Sequence, residues 1–374
     1  MRARLVHRLG SFGLIAVVGV LTGTAAAAPP GARSVMVERR LALMGTGLRI
    51  EVEAVDRAAG LAASERAVAA LEAAEARLST WRAGTELARL NRAPEGHPWP
   101  LSPALAADLE GALSCAAATG GAFDPTVGPL VAAWNLRRGG RVPDPAELAA
   151  ARAATGHAGL RLADGAATRL RPGLAVEEGG FGKGAGLRDA LTALAADPAV
   201  ERALLDLGGQ IAVFRRTAAP GASGWRVAVA DPRRRDREVL EIAVDGGSVS
   251  TSGNSERCIT VDGVRLGHLL DPRTGRPAPD FGSVTVWAAD PLVADCLSTG
   301  LYVLGPEAAV RWAASHPEVE VLVLRDQREQ GGRLQALASP GLRGRLTPLT
   351  PPTPFDNEIE IEIEFGGTPA PAGK

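Results

Sequence analysis

The chain has 374 residues, a formal net charge of −1, 46% hydrophobic residues and 22% charged residues. That balance is globular, with material for one large domain or two ordinary ones, and the missing basic excess gives no support to a nucleic-acid partner. Three cysteines, Cys115, Cys258 and Cys296, lie far apart with no CxxC pair, which argues against a zinc site; their apolar or small-residue surroundings read as buried free thiols.

The first segment, residues 1–28, reads as a secretory signal peptide. Arg2, Arg4 and Arg8 precede an apolar run from Phe12 to Leu21. A small-residue stretch from Thr24 to Ala28 follows, ending at Pro29 and Pro30. The run is short for a membrane span, so the mature chain is expected to have no stable span and to be exported, in the periplasm. An uncleaved signal anchor is the rival reading. Cleavage near Ala26 to Ala28 removes three arginines and no acid, taking the charge from −1 to −4.

The body, residues 35–345, reads as one compact α+β unit. Leu61, Val68, Leu71 and Leu78 place an apolar stripe on an alanine-rich helix. Ser102-Pro103, Asp144-Pro145 and Asp290-Pro291 each pair an N-cap residue with a proline at the first helical position. A last helix is expected between Gly305 and His316. Strands are expected at Leu48–Ala54, Arg202–Asp206, Ile211–Arg215, Trp225–Ala230, Val239–Val244, Ile259–Val261, Ser283–Ala288 and Val319–Leu324, where apolar or β-branched runs are bounded by turns. They alternate with helices without a regular βαβ beat. Residues 346–374 read as a Pro/Thr-rich linker and an acidic alternating tail, loosely held rather than an added edge strand.

Five segments have residues suited to chemistry. The first, Glu177 to Gly184, is glycine-rich and opens a helix, so its backbone can approach a phosphate. It is not a P-loop, because Glu177 and Gly184 stand where that motif needs a glycine and a hydroxyl residue. As a dinucleotide fingerprint it lacks its third glycine, Ala185 standing there, and the surrounding βαβ pattern. The second, Asp206 to Gly209, fits both a plain hairpin and an acid that reads ligand hydroxyls. The third, Ser248 to Arg257, reads as a polar or ligand-lining loop. In the fourth, Gly267 to Gly275, His268 is one of five histidines and a candidate base near neutral pH, though a structural histidine fits as well. In the fifth, Asp295 and Thr299 lie four residues apart on one face of an apolar helix. Hard oxygens at that spacing suit Mg²⁺, while a capping or salt-bridged aspartate fits too.

Taken in order, these segments resemble the FAD:protein FMN transferase (ApbE-like flavin transferase) family. The resemblance also takes in Met44-Gly45-Thr46, Leu78 to Trp81, Glu86 to Asn91 and Gly121 to Leu130 with Trp134, and runs to about Leu304. It implies a single domain of mixed sheets flanked by helices, with FAD as substrate and Mg²⁺ or Mn²⁺ as metal. It implies metal ligation by Asp295, Thr299, Ser298 and Gly180, the last two through backbone oxygens. It implies FAD contacts at Met44, Trp81, Ala122, Phe123, Asp124, Glu177, Lys183 and Leu270, with Asp206, Thr251, Ser252, Gly253, His268 and Asp271 near the flavin or its phosphates. Glu177 departs from the family's usual aspartate and Trp81 from its common tyrosine. The expected reaction transfers FMN to a threonine or serine of an acceptor protein, a subunit of a membrane redox complex, and releases AMP. His268 is the candidate base, with Asp271 orienting it or Asp295 assisting. FAD pyrophosphatase activity and non-catalytic flavin binding are the alternatives.

Overall fold

The computed structural model describes residues 34–217, 224–254, 258–261, 264–327, 333–349 and 361–366. The expected signal peptide, the residues at 255–257 and the stretch 350–360 lie outside them.

Nine strands form the central sheet: β1 (Val35–Leu43), β2 (Thr46–Ala54), β3 (Val200–Leu207), β4 (Gln210–Arg215), β5 (Gly247–Gly253), β6 (Gly282–Ala288), β7 (Val319–Asp326), β8 (Leu334–Ala338) and β9 (Ile361–Phe365). Their spatial order is their sequence order. Every neighbouring pair is antiparallel except β8 and β9, which are parallel. The helices are α1 (Arg57–Leu78), α2 (Glu86–Arg92), α3 (Pro103–Ala118), α4 (Gly128–Ala133), α5 (Pro145–Ala154), α6 (Gly182–Ala195), α7 (Pro291–Leu304) and α8 (Pro306–Ala314).

Helices α1 and α6 cover β2 and β3 through Ala63, Ala67, Leu71, Leu187, Ala190 and Leu194. Helix α7 continues that layer over β5 and β6. The opposite face of the sheet packs against a three-stranded sheet of Trp225–Ala230, Glu238–Val244 and Leu346–Pro348. The mixed α+β architecture is therefore the one read from the sequence.

Three details differ from that reading. The buried face of α1 is Gly60, Ala63, Ser64, Ala67, Leu71, Ala74 and Leu78, whereas Leu61 is 41% exposed. Small residues face inward because α1 lies close to its neighbours: a Cβ on Gly60 would stand 2.7 Å from Val37 Cγ2. Residues 247–253, read as a loop, are instead the central strand β5. Ser250 and Ser252 meet the Ser298 hydroxyl of α7, and Ser248 donates to the Ile211 carbonyl of β4, so a polar segment is buried with its hydroxyls satisfied. Finally, two stretches of the expected tail belong to the fold. Leu346–Pro348 pairs with Glu238–Val244. In β9, Ile361, Ile363 and Phe365 face the core while Glu362 and Glu364 remain exposed. Acid and apolar alternation thus encodes a half-buried edge strand.

Among the described residues no helix is long and apolar enough to cross a membrane.

Candidate functional site

Helix α7 starts where its sequence says it should. Asp290 Oδ1 accepts from Leu292 N–H at 2.8 Å, and Pro291 occupies the first turn. One turn further on, Asp295 is only 3% exposed. Its carboxylate accepts from Lys183 Nζ and from Gly184 N–H, both at 2.9 Å. Gly184 lies in the first turn of α6, where unpaired N–H groups and the helix dipole favour a negative charge.

Around this pair runs a ladder of hydroxyls. Ser298 donates to the Asp295 carbonyl at 3.0 Å, and its hydroxyl lies 2.9 Å from Ser252 and 3.2 Å from Ser250. Thr299 Oγ1 is 3.4 Å from Ser252 Oγ. Gly180 completes the cluster: a Cβ there would stand 3.5 Å from Thr299 Oγ1. Gly180, Lys183, Ser252, Asp295, Ser298 and Thr299, scattered in sequence, therefore meet at one place. Among the described residues no group of three or more His, Cys, Asp or Glu could hold a metal. A cation held here would meet one carboxylate with hydroxyl and carbonyl oxygens around it, a set of hard donors of the kind that Mg²⁺ or Mn²⁺ accepts.

The glycine cluster divides by role. Gly184 is a packing residue, since a Cβ there would meet the Pro291 carbonyl oxygen at 2.4 Å; Gly186 likewise faces Leu71 and Met44. Gly179 is open, with only Glu177 within 4 Å.

A second group lies before the cluster. The Thr80 N–H and hydroxyl both donate to Glu178. Arg137 donates to the Thr80 carbonyl at 3.2 Å and pairs with Glu177. Its guanidinium also sits 4.5 Å from the Trp81 ring centroid. Trp81 is 64% exposed, an aromatic face held by a cation on one side. Burial and the adjacent Glu178 push the Glu177 carboxyl up to about 7, although Arg137 opposes the shift. Thr80, Asn91, Arg137, Val176 and Glu177 line a cavity of about 350 Å³.

Met44 and Gly45 form the two-residue β1–β2 turn, both at positive φ, 51° and 73°. Met44 lines a cavity of about 470 Å³ with Thr46, Glu72, Glu75 and Arg82. Asp206 accepts from Gly209 N–H at 2.9 Å, so it closes its own hairpin; burial raises its pKa.

Several expected FAD contacts are turned inward. Ala122 and Phe123 are core residues. The Asp124 carboxylate accepts from the Thr126 N–H and hydroxyl and from His157 N–H. Leu270 packs with Leu130, Ala133 and Trp134. Thr251 alternates away from α7 and bonds Thr285 at 2.8 Å, while Gly253 is buried in the strand. The Asp271 carboxylate accepts from the Arg273 backbone and guanidinium. His268 is half-buried at the end of the strand Val264–Gly267.

Thr80, Ser250, Glu178 and Arg137 were not singled out from the sequence. Three of them sit inside segments that were; Arg137 lies in none, and it reaches Thr80 and Glu177 only through the fold.

The profile of the ApbE family matches residues 44–323. An FAD:protein FMN transferase from Klebsiella pneumoniae is 36% identical over 275 residues, covering 71% of this chain and 78% of the relative. One from Salmonella typhimurium gives the same identity and coverage. The corresponding protein of Escherichia coli K12 is 34% identical with that coverage. Among solved structures, the flavin transferase ApbE from Vibrio cholerae superposes with a TM-score of 0.72 at 28% identity, covering 84% of this chain and 100% of that one. An ApbE protein from Thermotoga maritima gives 0.71 at 28%, covering 80% and 96%.

Proposed function

The chain belongs to the ApbE family and is an FAD:protein FMN transferase, and from that premise we propose that the Asp295 cluster performs a metal-dependent transfer of FMN to a threonine or serine hydroxyl of an exported acceptor. The observation that carries this reading is the buried Asp295 carboxylate, set one turn from Thr299 and against Lys183 and the N-terminus of α6. Mg²⁺ or Mn²⁺ would be held by Asp295 and Thr299, with backbone oxygens of Ser298 and Gly180, and would supply charge neutralisation of the pyrophosphate.

The protein's own groups do the rest. Lys183 and the free N–H groups of α6 offer positive charge to phosphate oxygens. Trp81 offers a face for stacking a ring of the dinucleotide, and Arg137 keeps that face in place. His268 would act as the base that takes the acceptor hydroxyl's proton. The hydroxyl oxygen then bonds to the FMN-side phosphorus. The bond from that phosphorus to the bridging oxygen breaks, and AMP departs with the electron pair. The signal-like N-terminus supports an acceptor on the periplasmic side, a subunit of a membrane redox complex.

The test is incubation of the mature protein with FAD, Mg²⁺ and a peptide carrying an acceptor threonine. The expected products are AMP and a peptide heavier by an FMN unit. AMP with unmodified peptide would replace transfer by hydrolysis, and bound FAD with no AMP would leave only flavin binding. Asp295→Asn is expected to abolish transfer with the circular dichroism spectrum unchanged; retained transfer would remove the metal assignment.

A further inference from the structure

Helices α3 and α7 run side by side in the same direction, in a ladder with a four-residue step. At one end a Cβ on Gly111 of α3 would stand 2.9 Å from Leu292 Cδ2 of α7. Eight residues on, a Cβ on Gly300 of α7 would stand 2.9 Å from Cγ2 of Thr119, the residue that caps α3. The midpoint of both intervals is a cysteine: Cys115 on α3 and Cys296 on α7. Both are buried in one core cluster and both are free thiols. A glycine on each outer rung lets the two backbones approach more closely than the usual 8–10 Å between helix axes. That closeness favours the short Cα separation, about 4.4–6.8 Å, that a disulfide bridges.

We propose that Cys115 and Cys296 are a disulfide-forming pair whose bond staples α3 to α7 directly behind Asp295, Ser298 and Thr299. The bond forms by exchange with an external disulfide, such as oxidised glutathione or an oxidase's active-site disulfide. One thiolate attacks that disulfide and expels a thiolate; the second cysteine then attacks the mixed disulfide and expels the other. The two protein thiols lose two protons and two electrons in all, and the oxidant leaves as two thiols. Burial dictates when this happens. The side chains are closed to an oxidant in the finished fold, so exchange occurs as α3 and α7 dock, and the completed bond is shielded from reductants. The odd thiol is Cys258. The pair lies about 180 residues apart, so the bridge constrains a long segment of the unfolded chain, where such bonds have their largest entropic effect. Its consequence for the site is a fixed α7, because the helix turn that bears Asp295 also bears the bridge.

The experiment refolds reduced, denatured mature protein in a glutathione redox buffer, quenches with acid, alkylates, and maps peptides by mass spectrometry. The expected result is a Cys115–Cys296 linked peptide, alkylation at Cys258 alone, and an intact protein lighter than the reduced form by two hydrogens. The same linkage is expected in protein recovered from an exporting host, and in a Cys258→Ser variant. Three alkylated cysteines, a bridge that includes Cys258, or glutathione adducts at Cys115 or Cys296 would overturn the pairing. The bridged protein is also expected to melt several degrees above its reduced form; equal melting temperatures would overturn the stapling role.

Discussion

Replacing Gly184 with alanine is expected to separate α6 from α7 and to disable the site with them. The added Cβ would stand 2.4 Å from the Pro291 carbonyl oxygen, 2.7 Å from Leu292 Cα and 2.8 Å from Asp295 Cβ. The first two are backbone atoms of the opening turn of α7, which cannot rotate aside as a flexible side chain would. Relief requires the helices to part by roughly an ångström, which costs about 1–3 kcal/mol in lost packing and strain. The same displacement stretches the charge-assisted bond from Gly184 N–H to Asp295, worth about 1.5–3 kcal/mol. Alanine's better helix propensity offsets about 1 kcal/mol. The net destabilisation is about 1.5–5 kcal/mol, a fall in melting temperature on the order of 5–15 °C.

Thermal unfolding by circular dichroism reads the first effect. The rate of FMN transfer, measured below the new melting temperature, reads the second. Because Lys183 and Asp295 ride on the two separated helices, we expect a loss of roughly tenfold or more in kcat. Gly179→Ala is the internal control. Nothing but Glu177 lies within 4 Å of its Cβ position, and stability should change by no more than about 0.5 kcal/mol. A Gly184→Ala protein with the parent's melting temperature and full transfer would refute the contact between α6 and α7.

Three further outcomes follow from the same structure. The Glu177 carboxyl is raised from 4.5 to about 7, so its contribution to stability is complete below the unfolded value and is lost as pH rises through the folded one. Glu177→Gln, neutral throughout, should therefore gain melting temperature relative to the parent between about pH 5 and pH 8 in the absence of ligand; a difference independent of pH would remove the buried-acid account. Trp81→Ala removes an exposed ring, so melting should barely move, while KM for FAD rises roughly 3- to 10-fold with the loss of about 0.5–1.5 kcal/mol of stacking; an unchanged KM would exclude Trp81 from the binding face. Leu71→Ala should cost about 2–5 kcal/mol in denaturant unfolding and Leu61→Ala at most about 0.5, and equal effects would contradict the assigned face of α1.

Much of the fold was legible because its signals are local. Ser102, Asp144 and Asp290 each cap a helix whose first turn contains proline, and all three caps form as the sequence implies. The acid and threonine of α7 were legible for the same reason, since a spacing of four on an otherwise apolar helix needs no tertiary knowledge. What failed were features decided by a partner. The segment at 247–253 looks like a loop until α7 supplies Ser298 and Thr299 to its serines. Leu61 looks like core until close contact of α1 with its neighbours selects alanine and glycine for the buried face instead. The partners that Asp124 and Asp271 engage within the chain, Thr126, His157 and Arg273, were likewise not read from the sequence. Arg137 is a further case, because only the fold brings it to Trp81 and Glu177.

The charge at the centre of the site bears on why one carboxylate is enough. Asp295 is matched by Lys183, and Ser250, Ser252, Ser298 and Thr299 add uncharged oxygens. A cluster of several carboxylates would hold a divalent cation tightly by itself but would repel a dinucleotide pyrophosphate at close range. With one carboxylate largely balanced by one ammonium, the resting site is nearly neutral, and neither a cation nor an anion is strongly favoured alone. On the proposed reading, the pyrophosphate brings the negative charge that the cation needs, and the cation relieves the repulsion that the pyrophosphate would otherwise meet at Asp295. Each then strengthens the binding of the other by the same factor, as linkage requires. The hydroxyls that hide β5 from a reader of the sequence therefore have a second consequence, since they furnish oxygen ligands without adding charge.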